Sequence, residues 1–159
     1  MITFRKLGKF GRFGNQLFQY AGTKLYAHLN GYKAVFPKWI GNEIFQGVMA
    51  PYSPVEKFRS LFYPTYQLDD IKSYGRIDKF KFILGLKEKL PETVNIKNLY
   101  SSPRNNINLY SQLQDEFSME LLKKHRNLVG SWFSFKPEIE NAFKTATARL
   151  RPWIGSHIR

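Results

Sequence analysis

Residues 1–36 constrain the fold more than any other stretch. Ile2-Thr3-Phe4-Arg5-Lys6-Leu7 opens on β-branched and aromatic residues and reads as a first strand over residues 1–7. Glycines at 8, 11 and 14 follow, with Arg12 between them. Leu17, Ala21, Leu25 and Leu29 then recur every fourth residue, and Phe18 and Tyr26 widen the stripe. That spacing predicts an amphipathic helix over residues 15–30. Asn15 is the expected N-cap, and Gly31 the expected stop. Tyr32-Lys33-Ala34-Val35-Phe36, closed by Pro37, reads as a second strand. Strand, loop, helix, tight turn and strand form a β-α-β unit, whose strands must be parallel and whose crossover right-handed. The expected class is α/β.

The loop inside this unit is the first candidate site. Glycine suits a backbone that turns tightly or approaches a ligand closely. A helix start carries N–H groups without intrahelical partners and a partial positive charge. With Arg12 beside it, the stretch fits an anion such as a phosphate. The spacing is neither that of the dinucleotide fingerprint nor that of the P-loop. A plain strand-to-helix connector remains the other reading of the same residues.

Gly11-Arg12-Phe13-Gly14-Asn15-Gln16-Leu17-Phe18-Gln19-Tyr20-Ala21 resembles the opening motif of the α-1,2-fucosyltransferases. That motif follows a short strand and reads Gly-Arg/Gly-Leu-Gly-Asn-Gln-Met/Leu-Phe-Gln-Tyr-Ala, so Phe13 departs from the usual Leu. Near the other end, Ile154-Gly155-Ser156-His157-Ile158-Arg159 is similar to the family's Val-Gly-Val-His-Val/Ile-Arg-Arg-Gly-Asp-Tyr strand as far as the chain runs. Between them, Leu128-Val129-Gly130-Ser131-Trp132-Phe133-Ser134 loosely resembles the family strand Leu-x-Gly-Tyr-Phe/Trp-Gln-Ser, and is expected to be a buried aromatic strand.

The resemblance implies a Rossmann-like N-terminal half of a GT-B-like two-domain glycosyltransferase. Residues 1–152 would be the acceptor-side domain, and 153–159 the truncated first strand of the donor domain. It also implies an inverting, metal-independent transfer of L-fucose from GDP-fucose to the 2-hydroxyl of a galactoside, with no cofactor. Arg159 would be the catalytic arginine, stabilising charge that develops on the GDP leaving group. His157 would shape the same loop or contact the nucleotide. Gly11, Arg12, Gly14, Asn15 and Gln16 would face donor phosphates and sugar. The Arg-Gly-Asp-Tyr remainder of the motif is missing, so this chain alone is expected to be inactive. It would need association with a C-terminal half. No catalytic base is assignable: Asp69, Asp70, Asp115 and Glu116 are acids in suitable regions, each also readable as a solvated surface residue.

The rest of the chain is less regular. Residues 38–75 hold three prolines and many aromatics, with short helical turns expected near Asn42 to Gly47 and near Pro54 to Phe62. The resemblance implies a stretch of short acidic-aromatic pieces packed beneath the first sheet, to which Tyr66-Gln67-Leu68-Asp69-Asp70 would belong. Phe80, Phe82 and Leu84 alternate as in a strand, although a helix broken near Gly85 fits too. Thr93-Val94-Asn95-Ile96 reads as a short strand, and residues 101–106 as a turn-rich loop. Helices are expected over residues 113–125, with Leu113, Phe117 and Leu121 on one face, and over 137–150. The second of these starts at Pro137 and carries the stripe Ile139, Phe143, Ala146 and Leu150.

Composition narrows the partners. The chain of 159 residues carries a formal net charge of +13, which draws anions: nucleic acid, acidic lipid or nucleotide-linked substrates. The basic residues are scattered, and no RNP, KH, zinc or helix-turn-helix pattern stands out. A basic nucleic-acid-binding module and a non-catalytic relic are the competing readings, and no nucleic acid is expected as partner. The chain has no cysteine, hence no disulfide or thiolate site. It shows no secretory signal and no apolar run of about 18 residues. A cytoplasmic location is expected, with peripheral contact to an anionic membrane.

Overall fold

The computed structural model describes residues 1–68 and 92–148. Five short strands form one sheet: β1 (Ile2–Thr3), β2 (Ala34–Val35), β3 (Thr65–Leu68), β4 (Glu92–Val94) and β5 (Ile107–Tyr110). Their order is β2-β1-β5-β3-β4, and every pairing is parallel. Ile2 is in register with Ala34 on one side and with Ile107 on the other. The layering is α/β and Rossmann-like. Its strand order departs from doubly wound sheets in which strand number rises steadily away from the first strand, because β5 is inserted beside β1.

The β-α-β unit forms as its sequence predicts, with shifted edges. β1 stops at Thr3, not at Leu7, because Leu7 N–H donates to the Phe4 carbonyl at 3.0 Å and Lys9 N–H to that of Lys6 at 2.9 Å. Two tight turns replace the second half of the expected strand. Helix α1 (Phe13–Leu29) begins two residues before the expected start. Its N-cap is Arg12, which gives no side-chain cap, so Asn15 is an ordinary first-turn residue and not the cap. The far end matches expectation: Asn30 is the C-cap, and Gly31 takes φ +65°.

Between β2 and β3 lie α2 (Gly41–Ile44) and α3 (Pro54–Ser60), where helical turns were expected. Tyr66, Gln67 and Leu68 belong to β3, inside the sheet and not beneath it. The expected 93–96 strand is β4, shifted to Glu92–Val94. It is followed by α4 (Ile96–Ser101), which occupies the start of the predicted loop. The crossovers from β1 to β2 and from β4 to β5 run in the same direction across the sheet, so the right-handed rule for parallel strands puts α1 and α4 on one face. The Tyr26 ring of α1 meets the Tyr100 ring of α4 edge-on at 5.1 Å. The β2-to-β3 connection, which carries α2 and α3, runs the other way across the sheet.

Helix α5 (Glu116–Lys124) packs against α1 and α4. It starts three residues later than predicted, because Leu113 adopts φ +55° and Asp115 caps the helix. The stretch expected as an aromatic strand is instead helix α6 (Arg126–Ser131) followed by a turn. Trp132 is buried, and Phe133 sits edge-on to Tyr20 at 5.8 Å and to Phe45 at 5.2 Å. Helix α7 (Pro137–Thr147) forms with Pro137 in its first turn. Its apolar stripe is unburied: Ile139 is 38% and Phe143 54% exposed. The 80–84 alternation, Leu150 and residues 153–159 lie outside the described residues, as do Asp69 and Asp70.

Candidate functional site

The glycine-containing stretch leaves the carboxyl end of β1, the strand at which the sheet order turns back. Open α/β sheets bind ligands at such carboxyl ends. Gly8 and Gly11 take φ +82° and +79°, a conformation that disfavours any side chain. A Cβ on Gly11 would stand 2.9 Å from that of Asn15, so the loop also closes tightly over the first helical turn. Gly14 is different: it lies inside α1, and nothing is within 4 Å of where its Cβ would be. An open backbone at the second helical residue leaves room for a ligand to approach.

Two glutamines of the same stretch brace the loop. Gln16 Nε2 donates to the Gly11 carbonyl at 3.1 Å, and Gln19 Nε2 to the Phe10 carbonyl at 3.1 Å. Both residues are buried, and their Oε1 atoms have no hydrogen-bond partner among the described residues. An unpaired buried carbonyl is costly, by about 1–3 kcal/mol. Gln16 therefore acts on the loop itself, while Gly11, Arg12 and Gly14 are the exposed members of the predicted set among the described residues.

The electrostatics are one-sided. The first turn of α1 holds no acidic residue, and Lys6, Lys9 and Arg12 are exposed around it. The N–H groups of Phe13, Gly14 and Asn15 have no acceptors within the helix, as at any helix start. Donors, dipole and cations thus share one sign and favour an anion.

The structure adds a second wall that local sequence does not reveal. The loop after β5 lies beside the loop after β1. Gln114 Nε2 donates to Asn15 Oδ1 at 3.1 Å, the Phe10 and Tyr110 rings are 4.9 Å apart, and Lys6 Nζ lies 5.5 Å from the Tyr110 ring centroid. These partners are about a hundred residues apart in sequence and are joined only by the strand order. Gly11, Arg12, Gly14, Asn15 and Gln16 are brought together here; His157 and Arg159 lie outside the described residues.

Asp115 and Glu116, two of the acids singled out in the sequence, lie elsewhere. Asp115 is the cap of α5, accepting from Ser118 N–H at 3.0 Å and from Ser118 Oγ at 2.5 Å. Asp115, Glu116 and Glu120 border a cleft of about 430 Å³ together with Lys97 and Asn95. Three carboxylates against one ammonium make it unsuited to a diphosphate. No cluster of three metal-ligating side chains occurs among the described residues. None of their helices is long and apolar enough to cross a membrane.

No family model matches this chain, and neither a curated protein nor a solved structure does.

Proposed function

We propose that this chain is the N-terminal, acceptor-side half of a GT-B-like α-1,2-fucosyltransferase that uses GDP-fucose as donor and a galactoside glycan as acceptor. One observation carries the reading. The stretch Gly11–Ala21, which resembles the family's opening motif, lies at the carboxyl end of a parallel strand, with an exposed arginine at an uncapped helix start.

In the reaction the acceptor 2-hydroxyl oxygen attacks the anomeric carbon of fucose as the bond to GDP breaks. The configuration inverts, and the hydroxyl proton passes to a general base. Negative charge grows on the diphosphate, so fixed donors aimed at it lower the barrier. Arg12 supplies a planar fork suited to phosphate oxygens. The α1 N–H groups and the open backbone at Gly14 supply neutral donors. Asn15, held by Gln114, orients this wall. Gln16 keeps the loop closed from within. Arg159 and His157 would act from the donor side. The cleft then lies between two halves, and the partner is a C-terminal donor domain. No metal is needed when arginines and helix N–H groups carry the charge. The expected setting is cytoplasmic and peripheral to a membrane.

The test is release of GDP from GDP-fucose in the presence of a β-galactoside. The chain is assayed alone and mixed with the donor half of a family member. Release that needs both halves and the galactoside supports the reading. No release from the mixture, or equal release from GDP-mannose, contradicts it.

A further inference from the structure

Helix α3 and the turn after it hold four large apolar side chains in water: Val55 is 60% exposed, Phe58 62%, Leu61 51% and Phe62 73%. Phe58 and Phe62 meet edge to face at 5.2 Å and form one apolar ridge. Of α3 itself only Ser60 is buried, so the helix is not held by packing of its apolar side.

It is held at its ends instead. Pro54 opens it, and Ser53 and Glu56 form a reciprocal capping box. Glu56 also pairs with Lys33 at 2.6 Å, and these contacts hold its carboxyl below the usual carboxylate range. At the other end the Arg5 guanidinium donates to the Leu61 carbonyl at 3.4 Å and to Thr65 Oγ1 at 2.9 Å, tying the turn to β3. Ser60 Oγ closes onto the Lys57 carbonyl at 2.7 Å. A seven-residue helix fixed this way at both ends displays its apolar residues and does not bury them.

Charge selects the occupant. The one carboxylate of α3 is engaged by Lys33 and Ser53, while Lys57 and Arg59 are exposed next to the phenyl ridge. Phenyl and aliphatic groups flanked by cations, on a chain of net charge +13, match an anionic lipid surface. Acidic headgroups meet the two cations, and acyl chains receive the ridge. We infer that Val55, Phe58, Leu61 and Phe62, with Lys57 and Arg59, form a docking surface for an anionic membrane. The surface lies on α3, apart from the glycine loop, and does not depend on the chemistry performed there.

The test is flotation of the full chain with vesicles of phosphatidylcholine and phosphatidylglycerol at seven to three, against vesicles of phosphatidylcholine alone. The chain should float with the first and not with the second. The double variant Phe58→Ser, Phe62→Ser should lose about tenfold or more in vesicle affinity at unchanged circular dichroism, since each phenyl removed from lipid forfeits its transfer energy. Lys57→Gln with Arg59→Gln should weaken binding and flatten its salt dependence. A Phe62→Trp variant should show quenching of its added fluorescence by brominated acyl chains. Full binding by the double serine variant would overturn the inference and leave diffuse charge as the cause. Absence of brominated-lipid quenching would overturn it too. Dimers in sedimentation velocity that the serine variant abolishes would overturn it in favour of a second copy of the chain.

Discussion

Tyr26 and Arg104 hold each other through a reciprocal pair of hydrogen bonds. The Tyr26 hydroxyl donates to the Arg104 carbonyl at 3.0 Å and accepts from the Arg104 N–H at 2.8 Å. This fastens the end of α1 to the loop that feeds β5, the strand beside β1. Tyr26→Phe keeps the ring on Tyr100 but strips partners from two backbone groups. A loss of roughly 1–3 kcal/mol is expected in urea unfolding, because orphaned polar groups pay their desolvation in full. A loss under about 0.3 kcal/mol would mean water replaces the hydroxyl.

Two glycines of one motif should respond with opposite sign. Gly11→Ala puts a methyl into a backbone of φ +79° and against Asn15, so it should cost about 1–2 kcal/mol. Gly14→Ala meets open space inside a helix, so it should add roughly 0.4–1 kcal/mol of stability. The same methyl stands where a ligand is expected to approach, so Gly14→Ala should weaken donor binding in a more stable protein. Thermal melts and a binding titration on the same samples check both halves of this statement.

Asp115 is predicted to serve the helix and not the chemistry. Asp115→Ala should cost about 0.5–2 kcal/mol, the usual range for a lost N-cap, and Asp115→Asn should recover most of it. A turnover loss in Asp115→Asn at unchanged melting temperature would return this residue to the list of catalytic bases.

Stability should peak on the alkaline side. Burial lowers the Lys24 ammonium to about 8 from 10.5, with Nζ 3.1 Å from Tyr20 Oη and 4.4 Å from the centre of the Trp132 ring. The two aromatic faces favour the cation by roughly 0.5–2 kcal/mol and temper this shift. Between these values the unfolded chain carries a proton that the folded chain lacks, so stability rises with pH. Tyr20 is pushed the other way by burial, from 10.0 to about 12. Above pH 10 the unfolded chain loses that proton first, and stability falls. Urea midpoints across pH 7–11 should climb from about pH 8 and turn down near 10. Lys24→Met should remove the climb and leave the fall.

Much of the fold was legible where period and punctuation agree. Leu17, Ala21, Leu25 and Leu29 with Gly31 define α1 and its end. β5 escaped because Asn108 interrupts its apolar run. In the sheet that residue is buried and satisfied: its Oδ1 accepts from Arg5 N–H at 2.9 Å, and its Nδ2 donates to Thr65 Oγ1 at 3.0 Å. Only the neighbouring segments, the turn after β1 and strand β3, reveal those bonds. The misread strand carried a usable signal, since Leu128, Val129, Trp132 and Phe133 repeat at helical spacing. On the site, Gly8 and Gly11 announced their turns. Gln114 and Tyr110 did not, because their nearness to the loop follows from β5 lying beside β1.

The most direct test of the account is an amide titration of the isotope-labelled chain with GDP-fucose to millimolar concentration. The account predicts saturable shifts centred on Gly11, Phe13, Gly14 and Asn15. It also predicts that Arg12→Ala weakens them roughly tenfold, as loss of a charge-assisted hydrogen bond to phosphate should. Amides of this loop that stay in place under GDP-fucose, while a single-stranded oligonucleotide binds and the sugar nucleotide fails to compete, would contradict it.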